Sequence, residues 1–244
     1  MHPSSGDDVL TPSQDAERSS NITHLVVSDF GEKPEALQKL LKLPKALEHF
    51  VFEKIHACPV PWRLDMFQWL LADHKYTLKS LEIGSLTSGY TSISLLDFPN
   101  LETLNLSHWA YRESPEVSAA SLLAPRLHTF IWDFRILDQH SESWSDFGNE
   151  QKEWLLRFAE LAAEKRSALR KIEILFCPDE YSSPQTREEL AVCVSPWDLM
   201  DEAKDKIKPL GIELEYAGSW KREGWLQKIE EDGRVCEESE KEET

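Results

Sequence analysis

Six ten-residue blocks along the chain align without a gap, and their shared pattern constrains the fold more than any other feature. They begin at residues 21, 46, 77, 100, 126 and 168 and read NITHLVVSDF, ALEHFVFEKI, TLKSLEIGSL, NLETLNLSHW, RLHTFIWDFR and ALRKIEILFC. Each is apolar at positions two, five and seven: Ile22/Leu25/Val27, Leu47/Phe50/Phe52, Leu78/Leu81/Ile83, Leu101/Leu104/Leu106, Leu127/Phe130/Trp132 and Leu169/Ile172/Ile174. Positions five and seven alternate as they must on a strand with one buried face. Position two lies on the turn entering the strand and is expected to point into the same core. The pattern predicts six short strands, each pairing in parallel with the next, with the intervening chain returning over one side.

The return segments carry helical periodicity. Residues 34–43 place Leu37, Leu40 and Leu41 on one face, and 62–74 do the same with Met66, Phe67, Leu70 and Leu71. A short small-residue helix is expected at 117–123. The 149–166 segment has Trp154, Leu155, Phe158, Leu161 and Ala162 in an i, i+1, i+4, i+7, i+8 stripe. Further on, Ser195-Pro196-Trp197-Asp198 reads as a helix start, with Ser195 as cap and Pro196 in the first turn. That helix should stop before Pro209, because proline disfavours the α conformation of its predecessor. Residues 211–216 (GIELEY) alternate like one more strand, and 220–229 are expected to form a last helix with Trp225 and Ile229 facing inward. Three regions result: a disordered segment 1–20, a repeat region 21–218 with C-terminal capping elements, and 219–244, a short helix running into an acidic disordered tail.

The blocks resemble the leucine-rich repeats of ribonuclease-inhibitor-like proteins, whose repeats run to about 20–29 residues. Here successive starts are 25, 31, 23, 26 and 42 residues apart, and the longer intervals leave room for insertions. The irregular lengths, long helical returns and tryptophan content look most like the repeat regions of fungal F-box proteins. The resemblance covers residues 21–216. It implies an α/β horseshoe, a solenoid with a parallel concave sheet and convex helices, that binds a target protein. In the family context this would be the substrate-recognition part of a ubiquitin ligase. Two departures stand out. The consensus places Asn or Cys at position ten, where it bonds the turn backbone; this chain has Phe30, Ile55, Leu86, Trp109, Arg135 and Cys177, of which only Cys177 fits. The turns must therefore be held differently. The twenty residues before Asn21 are too few and too polar for an F-box, so a link to the ligase machinery would need a longer product.

Charge narrows the partners. The net charge of −17 opposes binding to phosphate backbones and anionic lipid surfaces, so neither nucleic acid nor membrane is expected. No apolar run approaches the roughly 20 residues of a membrane span, and the N-terminus lacks the apolar stretch of a secretory signal. A cytoplasmic or nuclear protein is expected. Cys58, Cys177, Cys193 and Cys236 form no CxxC pair and suit neither a zinc site nor a disulfide framework. No Walker loop, HExxH, GxGxxG or nucleophile elbow is present, so no cofactor, metal or catalytic residue is assigned.

The expected binding surface is the concave face, where positions four, six and eight project. It includes His24, His49, Glu53, Glu82, Asn105, Ser107, Ile131, Asp133, Lys171 and Glu173. His24 and His49 should stand side by side, at a strand spacing of about 4.8 Å. The acids predict a partner with a basic surface. Asn105 is expected to face solvent, so that its replacement is nearly neutral. Trp220 and Trp225, beside Lys221 and Arg222, read as a C-terminal cap or as an interaction patch. A stand-alone scaffold or inhibitor is the alternative to a ligase receptor, and a hydrolase using a loop histidine is a third reading.

Overall fold

The computed structural model describes residues 17–53, 61–86, 91–135, 143–178, 189, 192–217, 224, 225 and 227. One parallel sheet organises them. Its strands are β1 (His24–Ser28), β2 (His49–Glu53), β3 (Ser80–Ile83), β4 (Thr103–Ser107), β5 (Thr129–Asp133), β6 (Lys171–Leu175) and β7 (Glu213–Ala217). They lie side by side in chain order, β1 to β7, in an open sheet that is not curled. The six blocks fall in one register: position four runs His24, His49, Ser80, Thr103, Thr129, Lys171, and the row continues to Glu213 of β7. The seventh strand therefore belongs to the same series.

Backbone bonds at the strand entrances fix this register. The carbonyl of position three in each block accepts the amides of positions three and four in the next. Thr23 O takes Glu48 N and His49 N at 2.8 and 2.9 Å; Glu48 O takes Lys79 N and Ser80 N at 2.7 and 3.0 Å. Lys79, Glu102 and His128 repeat the arrangement, and Arg170 O accepts Glu213 N at 2.8 Å. Each orphan donor at a strand start is thereby satisfied without a side chain. At the exits the described residues show backbone ties that include Asp29 N to Glu53 O at 3.1 Å and Phe134 N to Leu175 O at 2.8 Å. Around β4 and β5 the exit turns are also tied by Trp109 Nε1 donating to Phe134 O at 3.0 Å, and by the His108 ring stacked on Phe134 with centroids 4.5 Å apart. Aromatic side chains hold the turns where the asparagine ladder is missing.

Among the described residues five helices cover one face: α1 (Pro34–Leu41), α2 (Met66–Leu70), α3 (Pro115–Ser121), α4 (Asn149–Glu164) and α5 (Pro196–Ile207). Local chemistry sets their starts. Ser114 and Ser195 cap α3 and α5 by accepting the amides of Val117 and Asp198, each with proline in the first turn. Gly211, with φ of +77°, turns the chain from the end of α5 into β7. The inward residues of strands and helices form one continuous core.

The helix expected over 62–74 is shorter. Only α2 is α-helical, followed by a 3₁₀ turn at Ala72–His74. Tightening the chain there brings His74, 2% exposed, under the start of β2. Its Nε2 lies 2.6 Å from Leu41 O and its Nδ1 accepts Leu47 N at 3.4 Å, so one ring serves a helix end and a strand entrance together. Residues 91–98 form no helix, although Ile93, Leu95 and Phe98 are buried. Ile22 also departs from expectation: the position-two residues of the other five blocks are buried, whereas Ile22 is 45% exposed. Among the described residues no repeat precedes it to pack against. Residues 18–20 nevertheless pair with 42–45 through Arg18 N to Lys42 O, Ser20 N to Leu43 O and Lys45 N to Ser20 O. Trp225 is buried against Trp144, centroids 5.6 Å apart. Residues 1–16, His56, Cys58, Trp220 and the acidic C-terminal sequence lie outside the described residues.

Leu104→Ala, at the centre of the core, should cost about 2–5 kcal/mol in chemical melts. The edge should be softer than the middle: amides of residues 22–27 should exchange much faster than those of 101–106. Equal protection in a monomer would show that the β1 edge is covered.

Candidate functional site

Two surfaces qualify: the face of the sheet opposite the helices, and a cavity where β4, β5 and α4 meet. Three rows of side chains make up the open face. In the position-four row, the rings of His24 and His49 stack, centroids 4.1 Å apart and planes within 10°. Partial burial, and then the neighbouring His24, lowers the pKa of His49. Thr23 Oγ1 lies 2.9 Å from His24 Nδ1. Among the described residues, no group of three or more His, Cys, Asp or Glu is placed to hold a metal ion. Lys171, farther along the row, binds Glu215 at 2.6 Å and Glu173 at 3.3 Å. Its pKa is raised, chiefly by the Glu215 bond.

The position-six row holds Val26, Val51, Glu82, Asn105, Ile131, Glu173 and Glu215. Here the expectation for Asn105 is corrected. It is 6% exposed, its short side chain lying between the longer Glu82 and Ile131 of the flanking strands. Desolvation is the largest influence on Glu82 and raises its pKa; the neighbouring Asn105 amide works against this, while Asp133 and Glu53 add to it. In the position-eight row, Glu53 accepts Ser28 Oγ at 3.1 Å, and Asp133 pairs with Arg135 at 2.7 Å. Ser107 is a second correction: at 1% exposure it caps the 3₁₀ turn His108–Ala110 by accepting Trp109 N. The remaining expected residues lie at their expected rows and are partly exposed. Glu213 and Glu215 add two acids that the six-block alignment leaves out, because Gly211 replaces the apolar residue at position two of the seventh block.

The cavity has a volume of about 790 Å³, within the range of ligand sites. It opens beyond the C-terminal ends of β4 and β5, between the segment leading into α3 and the first turns of α4. Trp109, Trp132 and Trp154 supply aromatic wall; Arg112, Glu113, Asp146, Glu150 and Glu153 supply charge. His108 also lines it, at 7% exposure, and its Nδ1 has no hydrogen-bond partner. Burial, and secondarily Arg112, pushes the pKa of His108 down to about 4. Burial raises that of Asp146, whose carboxylate accepts Ser143 N at 2.6 Å. Sequence reasoning places Trp132 and Trp154 in the core. Trp132 is there, but Trp154 is only half-buried, with its Nε1 donating to Glu113 O at 2.7 Å.

Two predictions follow from these environments. Between pH 6.5 and 4 the unfolded chain protonates at His108 while the folded chain resists, so stability falls as pH drops through that window. This contribution amounts to up to about 3 kcal/mol. His108→Phe, which keeps a ring against Phe134, should flatten that part of the pH–stability curve in urea melts; an unchanged curve would reject the assignment. Asn105→Ala should raise the Glu82 pKa further, read by carboxyl NMR titration, because it removes the neutral donor that stabilises the charged form.

Among the described residues, no helix is long and apolar enough to cross a membrane. No protein-family model, curated protein or solved structure matches this chain, and its architecture stands as one seven-stranded parallel sheet alternating with helices.

Proposed function

We propose that this chain is a short leucine-rich-repeat-type solenoid that binds another protein through the open face of its sheet. The observation that carries this reading is that, among the described residues, the helices pack on one side of the sheet and none covers the other. All-parallel sheets are almost always covered on both sides, because their crossovers place helices on each. Here the strands follow chain order and the helices share one core on one side, as stacked repeats do. The other side presents ordered rows of side chains on rigid strands, so a partner meets a surface whose ordering entropy has already been lost.

The chemistry of that face selects the partner. Glu53, Glu82, Asp133, Glu173, Glu213 and Glu215 outnumber Lys171 and Arg135. The two cations are engaged with acids of the same face. A basic protein surface complements it, and long-range attraction acts mainly on the rate of encounter.

Association with a captured partner should slow several-fold between low and physiological salt, with dissociation changing less. The double variant Glu53→Lys/Glu173→Lys should abolish capture. Glu32→Lys, an exposed acid away from the sheet, should leave it intact. A salt-insensitive association rate, or equal loss in both variants, would reject the open face as the binding surface.

A further inference from the structure

The cavity beside β4 and β5 lies outside the rows of the open face, and its chemistry stands independently of the reading given to them. Its polar handles are already committed on the protein side. The indole N–H groups of Trp109 and Trp154 donate to Phe134 O and Glu113 O. What these half-buried rings offer an incoming molecule is therefore π surface, chiefly that of Trp109, since the Trp154 ring also stacks on Phe158 with centroids 5.1 Å apart. Charge at the cavity leans acidic: among the described residues Glu113, Asp146, Glu150 and Glu153 line it beside one lining cation, Arg112, and Glu153 also lies 3.6 Å from Lys152 Nζ. His108 adds no positive charge at neutral pH, since burial holds it in the neutral form. The N-terminus of α4 contributes about half a positive charge, and Glu150 in its first turn answers it.

Aromatic surface with an excess of carboxylates favours a ligand that is both positively charged and weakly hydrated. The molecule already displays the contact in small: the Arg112 guanidinium stands over the Trp109 ring, 5.8 Å from its centroid. The unpartnered, buried His108 at the cavity wall marks a place where polar capacity is left over rather than consumed by the fold. We propose that this cavity is a binding site for an alkylated ammonium ion, whose positive centre rests against the tryptophan rings while Glu150, Glu153 and Asp146 neutralise its charge. Arg112 competes with the ligand, for the Trp109 face and as a like charge.

Three isosteres test the charge requirement on the full chain: choline, the uncharged 3,3-dimethylbutan-1-ol and the anionic 3,3-dimethylbutanoate. The readout is the pair of Trp109 and Trp154 indole N–H resonances in ¹H–¹⁵N spectra. Choline should shift both saturably. The alcohol should bind at least about fivefold more weakly, as loss of a cation–π contact implies, and the anion should give no saturable shift. Two exposed-residue variants must move affinity in opposite directions: Arg112→Gln should tighten choline several-fold, and Glu150→Gln/Glu153→Gln should loosen it several-fold. A peptide carrying trimethyllysine identifies the source. Displacement of choline by the peptide at a lower concentration points to a modified side chain of a partner protein, and tighter binding of choline points to a free small molecule; either order upholds the cation site. Equal binding of the alcohol and choline, tighter binding of the anion, or weaker choline binding to Arg112→Gln would overturn it.

Discussion

Everything in this molecule depends on one backbone contact repeated along it, in which the position-three carbonyl of each block receives two amides from the next. A carbonyl oxygen has two lone pairs, and here both serve the same neighbour in most repeats. The contact sets where each strand begins, and so which residue lies beside which. A slip of one residue would turn every inward Leu or Phe to the open side. With the entrance fixed, return segments of very different length can be accommodated. The interval of 42 residues before the sixth block carries the whole of α4, and the rows pass through it without a shift.

At the opposite end of the strands the described residues show backbone ties that include Asp29 N to Glu53 O and Phe134 N to Leu175 O, and the consequences are chemical. Aromatic rings close the turns after β4 and β5, and rings large enough to do so leave irregular space between them. His108, Trp109, Trp132 and Phe134 pack in successive contacts, His108 to Trp132 at 5.4 Å and Trp132 to Trp154 at 4.5 Å. The cavity is the outer side of this packing. The regular end of the sheet specifies architecture, and the irregular end provides the enclosed space in which a small group can be held.

Alternation was enough to predict the strand phase and the three rows, because positions five and seven carry Leu, Ile, Phe, Trp or Val in every block. Burial on the open face was not legible, since it depends on neighbours rather than on residue type. Asn105 is covered because longer side chains flank it on both adjacent strands, and Ser107 because its hydroxyl is drawn into a turn. Ile22 carries the right residue type, but no repeat among the described residues precedes it to complete the core it would enter. The seventh strand was visible by its alternation, yet Gly211 hid its membership in the series. The cavity was the least legible feature. Its walls come from residues 108–115, 132 and 145–154, and only the register of β4 against β5 and the packing of α4 bring them together.

The linear order of strands also has a mechanical consequence. Inter-strand bonds point across the strands, along the direction in which the strands stack, so a pull between β1 and β7 loads the six strand pairs in series rather than together. A chain of links loaded this way yields at its weakest member, whatever the strength of the rest. The pairs on either side of β3 have four aligned residues each, where the other four pairs have five. Under tension the molecule would part on one side of β3, its shortest strand, leaving β4 to β7 with the aromatic cavity in one unit and β1 with β2 in the other, β3 staying with whichever neighbour holds.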